Sequence, residues 1–436
     1  MRSRLRDASA LLSCGAVGWM LLTGCGARTP LQEASVAAAD AGADADSGAA
    51  GSAPGTGGQG GSAGAAGSAG IGGSAGAPPN GFVSVACGGA HVCAVTTGGK
   101  VVCQGYGGRG QLGDGQATGF SPTWVQTVGI SGATSVACGG EHSCALAAGQ
   151  VYCWGHDENG QIGDGSSGVS VDRPTPVLVA LPEGATALVA GGPHFGSGHT
   201  CALLSSGAVW CWGANSGGQI GNGQSGFGEL VATPMHVATL SEPAIGLAAG
   251  GRHTCALHAD GTVSCWGYDD YAQVGDGKSG TNVVTPLPVK VVGLPDKAVA
   301  IAAGEGQSCA VLASGEPRCW GQGDFGQLGT ANTANSVKPI AVFGGGVAGW
   351  IGMGAMHGCV ARPAGSVECA GLDDLGEVGS GKPGPFEIHS APVVVGLHDA
   401  VSVSTGTTTS CALRDQGKLS CWGDWFGPTP KQLEIP

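Results

Sequence analysis

Thiols and imidazoles are the most reactive side chains of this 436-residue chain, and they recur on a schedule. Cysteines pair nine or ten residues apart: Cys93 with Cys103, Cys144 with Cys153, Cys201 with Cys211, Cys255 with Cys265, Cys309 with Cys319, Cys359 with Cys369, and Cys411 with Cys421. In five copies a histidine stands two residues before the first cysteine, at His91, His142, His199, His253 and His357. A structural zinc ion needs four ligands, whereas each copy offers two thiols and one imidazole, and Gln307 and Thr409 take the histidine's place in two copies. Thiol redox catalysis favours a Cys-x-x-Cys spacing, which these pairs lack. Disulfides remain, with each histidine hydrogen-bonded into the fold, and no metal or cofactor is expected.

The element that must position these pairs is a repeat. The stretch Gly139 to Gly165, GGEHSCALAAGQVYCWGHDENGQIGDG, recurs seven times at intervals of 50 to 57 residues between first cysteines, which points to a repeat architecture. Apolar runs of four to seven residues alternate with turn residues, and no stripe of helical spacing persists after residue 80, so each copy reads as four strands. CALxxxGxVxCWG is a hairpin turning at Gly99, Gly149, Gly207, Gly261, Gly315, Gly365 and Gly417. The second copy is one residue shorter, and the deletion falls in the turn, where it preserves side-chain alternation. Cysteines facing each other across such a hairpin lie about 4.5 Å apart at Cα, within disulfide reach. Closing a loop of about ten residues stabilises each unit by roughly 2 to 3 kcal/mol on the chain-entropy account.

Cys87 and Cys138 stand six residues before the first hairpin cysteine of their copies. An interblade bridge between them and two free buried thiols are both open. The link GLPDK at 293–297 is short for crossing a four-stranded sheet at about 4.8 Å per strand. A hairpin there would pair the last run, from Pro430, with the first, Phe82 to Ala86, in one blade, closing the ring by strand exchange.

HSCALxxxGxVxCWGxxxxGQLGDG resembles the regulator of chromosome condensation repeat family, whose members form seven-bladed β-propellers, and the resemblance covers about 82–436. It implies an all-β fold: a seven-bladed propeller of four-stranded antiparallel blades. The family pattern usually has small or hydroxyl residues where this chain has its hairpin cysteines. Gln104 in copy one and Ala370 in copy six replace the tryptophan, and looser packing is expected there. A ring of this family also resembles a secreted β-lactamase inhibitor protein, which implies an inhibitor as one alternative role. The eukaryotic founder's nucleotide exchange on a small GTPase is another, although no stretch here matches its interacting insertion. A carbohydrate-active enzyme is a third alternative, disfavoured by only 22 aromatic residues.

The amino terminus reads as a lipoprotein signal peptide over 1–24. Arg2, Arg4 and Arg6 precede an apolar stretch from Ala8 to Leu22 that is short for a membrane span, and Leu22-Thr23-Gly24-Cys25 resembles a bacterial lipobox. Cys25 would carry the lipid. Residues 25–80, rich in Ala, Gly and Ser, read as a disordered linker reaching roughly 40 Å, ahead of the propeller at 81–436. The expected location is therefore the cell envelope, on the outer membrane or cell surface. The net charge is −13, and removing 1–24, with three arginines and one aspartate, takes it to −15, which disfavours nucleic acid.

Several short motifs are decoys. Gly105 to Gly110 and Gly321 to Gly326 spell GxGxxG without a following helix, and AQVGDGKS at Ala272 to Ser279 sits in a repeat loop. Ser62 and Ser74 lie in GxSxG within the linker, and Asp114, Asp164 and Asp276 in GDG loops read as turn formers rather than calcium ligands. No histidine, serine and carboxylate stand out as a catalytic group, so the expected function is binding, not catalysis. The expected partner is a protein of unspecified identity, met by a monomeric propeller. Loops departing most from the repeat carry Phe195, Phe227, Glu229, Phe386 and His389, which are the expected partner contacts.

Overall fold

The computed structural model describes residues 68–70, 80–168, 171–193 and 198–436. Seven antiparallel sheets occupy 82–126, 133–178, 185–236, 244–290, 298–341, 350–398 and 400–433, each with its four strands in chain order from the inside of the ring to the outside. The expected signal peptide, Cys25 and most of the linker lie outside the described residues. Of the linker, Ser68–Gly70 forms a short strand that pairs with Phe82–Cys87 on the axial side of blade 1, giving that blade a fifth strand.

Sequence pattern follows position in the ring. The second strand of blade 2, His142–Ala147, is buried along its whole length because neighbouring blades cover both its faces. Outermost strands such as Phe120–Gln126 are partly exposed and carry proline and threonine freely. Inner strands end in small residues, as in Phe82–Cys87 (FVSVAC) and Ala244–Ala249 (AIGLAA), since seven blades converge on one axis.

Ring closure differs from the sequence expectation. The last strand, Gly427–Leu433, pairs with Leu419–Gly423 in its own blade, and Phe82–Cys87 pairs with His91–Thr96 in blade 1, so no strand is exchanged. The physical reason is the length of the links. The outer strand of blade 4 ends at Lys290 and the inner strand of blade 5 begins at Ala298, leaving residues 291–297, which extend to roughly 23 Å and cross a sheet easily. Each new blade is then tied at its first residue: the Ala298 N–H donates to the Gly261 carbonyl at 2.9 Å, and Ala133, Ala185, Ala244, Ala348 and Ala400 do the same with the preceding hairpin glycine.

Around the axis, the turn between first and second strands is hydrogen-bonded to the next blade through its backbone. Amide donors at Gly89, Gly192, Gly251, Glu305, Ala355 and Thr407 reach carbonyls of the following blade at 3.1–3.3 Å, including Thr407 back to Gly88 across the closing seam. A Cβ on the glycine that opens this turn would collide with the next blade, at 2.4 Å from the Gly304 oxygen for Gly250 and 2.2 Å from the Gly354 oxygen for Gly304. That close approach, not turn flexibility, explains the glycine at this position in every copy.

The two copies lacking tryptophan are packed differently rather than loosely. Five tryptophans, Trp154, Trp212, Trp266, Trp320 and Trp422, are fully buried against a loop glycine of the preceding blade. At the seam between blades 5 and 6, where Ala370 stands, the Phe343 ring comes from blade 5 itself to lie against Gly329, and it is buried beside Met353. At the seam between blades 7 and 1, Phe82 and its neighbours form one core with Leu413 and Leu419, and Phe120 meets Trp425 edge to face at 5.4 Å.

Gly304→Ala should lower the unfolding free energy by about 1 to 3 kcal/mol through overpacking. Gly119→Ala, with nothing within 4 Å of its added carbon, should stay within about 0.5 kcal/mol of the parent. Urea midpoints measure both, and equal midpoints for the two variants would remove the axial-contact account.

Candidate binding face

The hairpin register sets the cysteines directly opposite one another, and the structure joins all seven pairs as disulfides with Cα atoms 4.0–4.1 Å apart. The shortened second hairpin keeps this register by turning on Ala148 and Gly149, both at positive φ. Cys87 and Cys138 are free and buried, not bridged. Equivalent places in successive blades lie on successive seams: the Cys87 sulfur faces the Ser404 carbonyl of blade 7 at 3.5 Å, while that of Cys138 lies 3.7 Å from the Ser143 hydroxyl. Burial pushes the Cys138 thiol up to about 12 and that of Cys87 further still. His91, Cys93 and Cys138 come within 4.8 Å of one another, but the Cys93 sulfur is engaged in its disulfide and His91 Nε2 is 2.8 Å from Ser143.

The histidines are seam residues. Nε2 of His142, His199, His253 and His357 lies 2.8–3.0 Å from the hydroxyls of Thr200, Thr254, Ser308 and Ser410 in the next blade. Those hydroxyls donate in turn to the backbone carbonyls of Gln161, Gln219, Gln273 and Glu377, so the imidazole Nε2–H is the donor. Burial holds His142, His199 and His253 down to about 3 and His357 to about 4. These rings are neutral and structural.

The same carbonyls connect the scaffold to the loop face. Each accepts a second hydrogen bond from a tryptophan indole of the next blade: Trp154 to Gln111, Trp212 to Gln161, Trp266 to Gln219, Trp320 to Gln273 and Trp422 to Glu377, at 2.8–2.9 Å. The glutamine side chain meanwhile accepts from the amide two residues earlier, at the loop tip. Arg109, Asn159, Gly217, Tyr271 and Phe325 are held this way at 2.9 Å, and Glu377 holds Leu375 at 2.8 Å. Beneath the tips, Asp157, Asn215, Asp269 and Asp373 each accept the amide five residues on, at 2.9–3.1 Å. Burial pushes Asp157, Asp269 and Glu377 up to about 7. One rigid support thus presents five different side chains and a glycine on one face.

Tips on blades 4 to 6 form an apolar arc. Tyr271 is 37 % exposed and Leu375 45 %, with the half-buried Phe325 between them in ring order. Between the fourth and fifth blades a cleft of about 510 Å³ is lined by Arg252, Tyr268, Tyr271, Glu305, Phe325 and Met356, among others. The Arg252 guanidinium lies 6.0 Å from the centre of the Tyr268 ring. Partial desolvation pushes the Glu305 carboxyl upward although the residue reaches solvent, and Arg252 opposes the shift.

The expected partner loops fall elsewhere on this face. Phe227 (107 % exposed) and Glu229 belong to blade 3, while Phe386 (82 % exposed) and His389 belong to blade 6, with two blades between them. His389 lies 3.3 Å from the buried Asp373 carboxylate, a contact within its own loop. Phe195 lies outside the described residues. Arg252 and the tips Tyr271, Phe325 and Leu375 are not among the residues expected from the sequence, because they lie in copies of ordinary length rather than in the longest departures from the repeat. The available signal was one fixed position, two residues before the repeat's glutamine or glutamate, where residue type changes from blade to blade. The GDG aspartates close turns as expected: Asp114, Asp164 and Asp276 accept the amide two residues on, at 2.8–3.0 Å.

Comparison with known proteins places these blades in context. Models of the regulator of chromosome condensation (RCC1) repeat match residues 148–203, 206–257 and 260–311, and a second model of the same repeat matches 82–111, 133–161, 245–273 and 400–424. The E3 ubiquitin-protein ligase HERC2 of Mus musculus is 32 % identical over 309 residues, which are 69 % of this chain and 6 % of that protein. The ultraviolet-B receptor UVR8 of Arabidopsis thaliana is 32 % identical over 191 residues, 43 % of this chain and 42 % of the receptor. The chain thus spans well under half the length of these relatives. Among solved structures, human WBSCR16 matches with a TM-score of 0.67 at 19 % identity, covering 77 % of this chain and 94 % of that one. Prp20p of Saccharomyces cerevisiae matches at 0.64 and 20 %, covering 81 % and 83 %.

His253→Gln tests the neutral seam histidine, since Gln307 already spans its own seam to the Gly354 carbonyl at 2.8 Å. A histidine whose folded pKa is depressed lets the unfolded chain bind more protons, so stability falls as pH drops below 6.5. Asp157, Asp269 and Glu377 act oppositely, losing stability as pH rises towards 7, but they are common to both proteins. The slope of unfolding free energy between about pH 6 and pH 4 should therefore be shallower in the variant by up to about 1.4 kcal/mol per pH unit. Urea titrations at several pH values measure it, and identical slopes would contradict the assignment.

Proposed function

Because the chain belongs to the regulator of chromosome condensation (RCC1) repeat family, we propose that it is a protein-binding module held at the bacterial cell envelope, meeting its partner through the loop-tip face. The observation that carries this reading is the repeated glutamine support: a uniform scaffold fixes tips of differing chemistry, so little loop entropy is lost on binding. Aromatic and apolar tips clustered on three adjacent blades have the composition of interface anchors. Among family structures, that of Prp20p was described together with its binding to Gsp1p and histones, and yeast RCC1 was solved bound to Kap60. Those partners belong to those proteins; what carries over is the use of the fold for protein recognition.

Envelope attachment rests on the amino-terminal sequence. Cys25, following Leu22-Thr23-Gly24, would take lipid, and 25–80 would hold the propeller away from the membrane. Seven disulfides agree with an oxidising compartment. Cys25→Ser should move the chain from the membrane pellet to the soluble fraction, measured by fractionation and by metabolic labelling with a fatty-acid analogue. Equal membrane association without Cys25 would end the lipid-anchor reading.

Partner capture gives the second test. The full chain, cross-linked in envelope preparations, should recover a protein that is lost when Tyr271, Phe325 and Leu375 are all changed to Gly, the residue found at 217. Recovery unaffected by that triple change would place recognition off this face.

A further inference from the structure

We propose that the cleft between the fourth and fifth blades receives a carboxylate-bearing side chain of a partner peptide on Arg252, with a neighbouring apolar side chain lying against Tyr271, Phe325 and Met356. The inference rests on the protein-binding reading and adds the chemistry of the bound segment.

Its starting point is a contrast among the six arginines of the described residues. Five have carboxylate partners: Arg109 with Asp172 at 3.8 Å, Arg173 with Asp164 at 2.7 Å, Arg318 with Glu316 at 2.9 Å, Arg362 with Glu368 at 2.7 Å and Arg414 with Asp399 at 2.7 Å. Arg252 has no carboxylate within 4.0 Å among the described residues; it is exposed and lies over the Tyr268 ring. Tyr268 is itself fixed by donating its hydroxyl to Asp270. A guanidinium resting on an aromatic face keeps its outward N–H donors available for bidentate pairing with a carboxylate.

Charge strengthens the contrast. The chain carries −13 overall, so a carboxylate is repelled by most of its surface and attracted where an uncompensated cation stands. Tyr268, Tyr271, Phe325 and Met356 put aromatic and thioether surface into the cleft beside Arg252, alongside polar lining from Gln273 and Gln322, and that surface suits an apolar neighbour of the carboxylate. Glu305 is the acidic residue among those lining the cleft, with Asp270 behind the Tyr268 hydroxyl: Glu305 attracts Arg252 from beyond ion-pair distance and repels an incoming carboxylate. Arginine and glutamate at this cleft should therefore have opposite effects on binding, a sign pattern that mere disruption of the fold does not produce.

The test is panning of a random dodecapeptide display library on the full-length chain in detergent, followed by affinity measurement on variants. Enriched peptides should pair Asp or Glu with an adjacent large apolar residue. Their affinity should fall at least tenfold with Arg252→Gln and with Phe325→Ala, rise severalfold with Glu305→Gln, and weaken with added salt. Thermal unfolding within about a degree of the parent checks that the fold of each variant is intact. Peptides without an acidic residue, or with equal affinity for Arg252→Gln, would overturn the assignment. If enriched peptides depend on Leu375 or Arg109 but not Arg252, the subsite falls while the protein-binding reading stands. Failure to enrich any peptide, together with an empty envelope capture, would remove both. A parallel arm uses oligogalacturonate; Arg252-dependent binding of that acidic glycan in place of peptides would also overturn it.

Discussion

One backbone carbonyl in each of five blades, on the loop glutamine at 111, 161, 219 and 273 and on Glu377, joins its blade to the next. Each takes an indole N–H and a hydroxyl from the following blade, for instance Trp266 and Thr254 on Gln219. Such an acceptor is buried, and leaving it unpaired would cost about 1 to 3 kcal/mol, so a blade's loop is stable only with its neighbour docked. The side chain of the same residue holds the amide of the tip, as Gln273 holds Tyr271. Stacking of blades and placement of the loop tips are therefore one event, and a tip cannot move without straining a seam.

Seven copies in one chain allow substitutions to be compared at a single structural position. Wherever the next blade supplies a hydroxyl after its first seam residue, at Ser143, Thr200, Thr254, Ser308 and Ser410, the preceding blade has a histidine. Where the hydroxyl is missing, the histidine is missing too: Gln307 precedes a blade with Gly358, and Thr409 precedes one with Val92. An imidazole N–H cannot reach past an absent hydroxyl, but the longer Gln307 amide finds the Gly354 carbonyl. Phe343 compensates for Ala370 in the same way, with volume from one blade replacing volume lost from another.

What was legible in the sequence was local. Hairpin register follows from turn length and from cysteines that must face one another, both contained within about a dozen residues, and repetition multiplied that signal seven times. Seam contacts join residues 30 to 60 positions apart, such as His142 and Thr200, and are invisible until the blades are stacked. Strand exchange at the closure was expected because the link was measured from an overlong strand; ending that strand at Lys290 gives 291–297 enough chain to cross. Cys87 and Cys138 looked like a pair because they are equivalent, yet equivalence in a ring places them on different seams. The glutamine-held tips were not legible for a related reason: they occupy one fixed place in every repeat and differ only in residue type, so no change of length marks them.

Covalent bonds reinforce the blades but not the ring. All seven disulfides close hairpins of nine or ten residues' separation, and among the described residues none crosses a seam. Ring integrity therefore rests on packing and hydrogen bonds, and two seams lack the repeated kind: Gln307, Gly358 and Ala370 replace histidine, hydroxyl and tryptophan between blades 5 and 6, and Thr409, Val92 and Gln104 replace them at the closing seam. Phe82, Leu413 and the Phe120–Trp425 contact supply apolar area in their stead. The short strand Ser68–Gly70 adds to this seam from the axial side. It pairs with Phe82–Cys87 and lies against the inner strands Ala133–Cys138 and Ala400–Thr405 of both neighbouring blades.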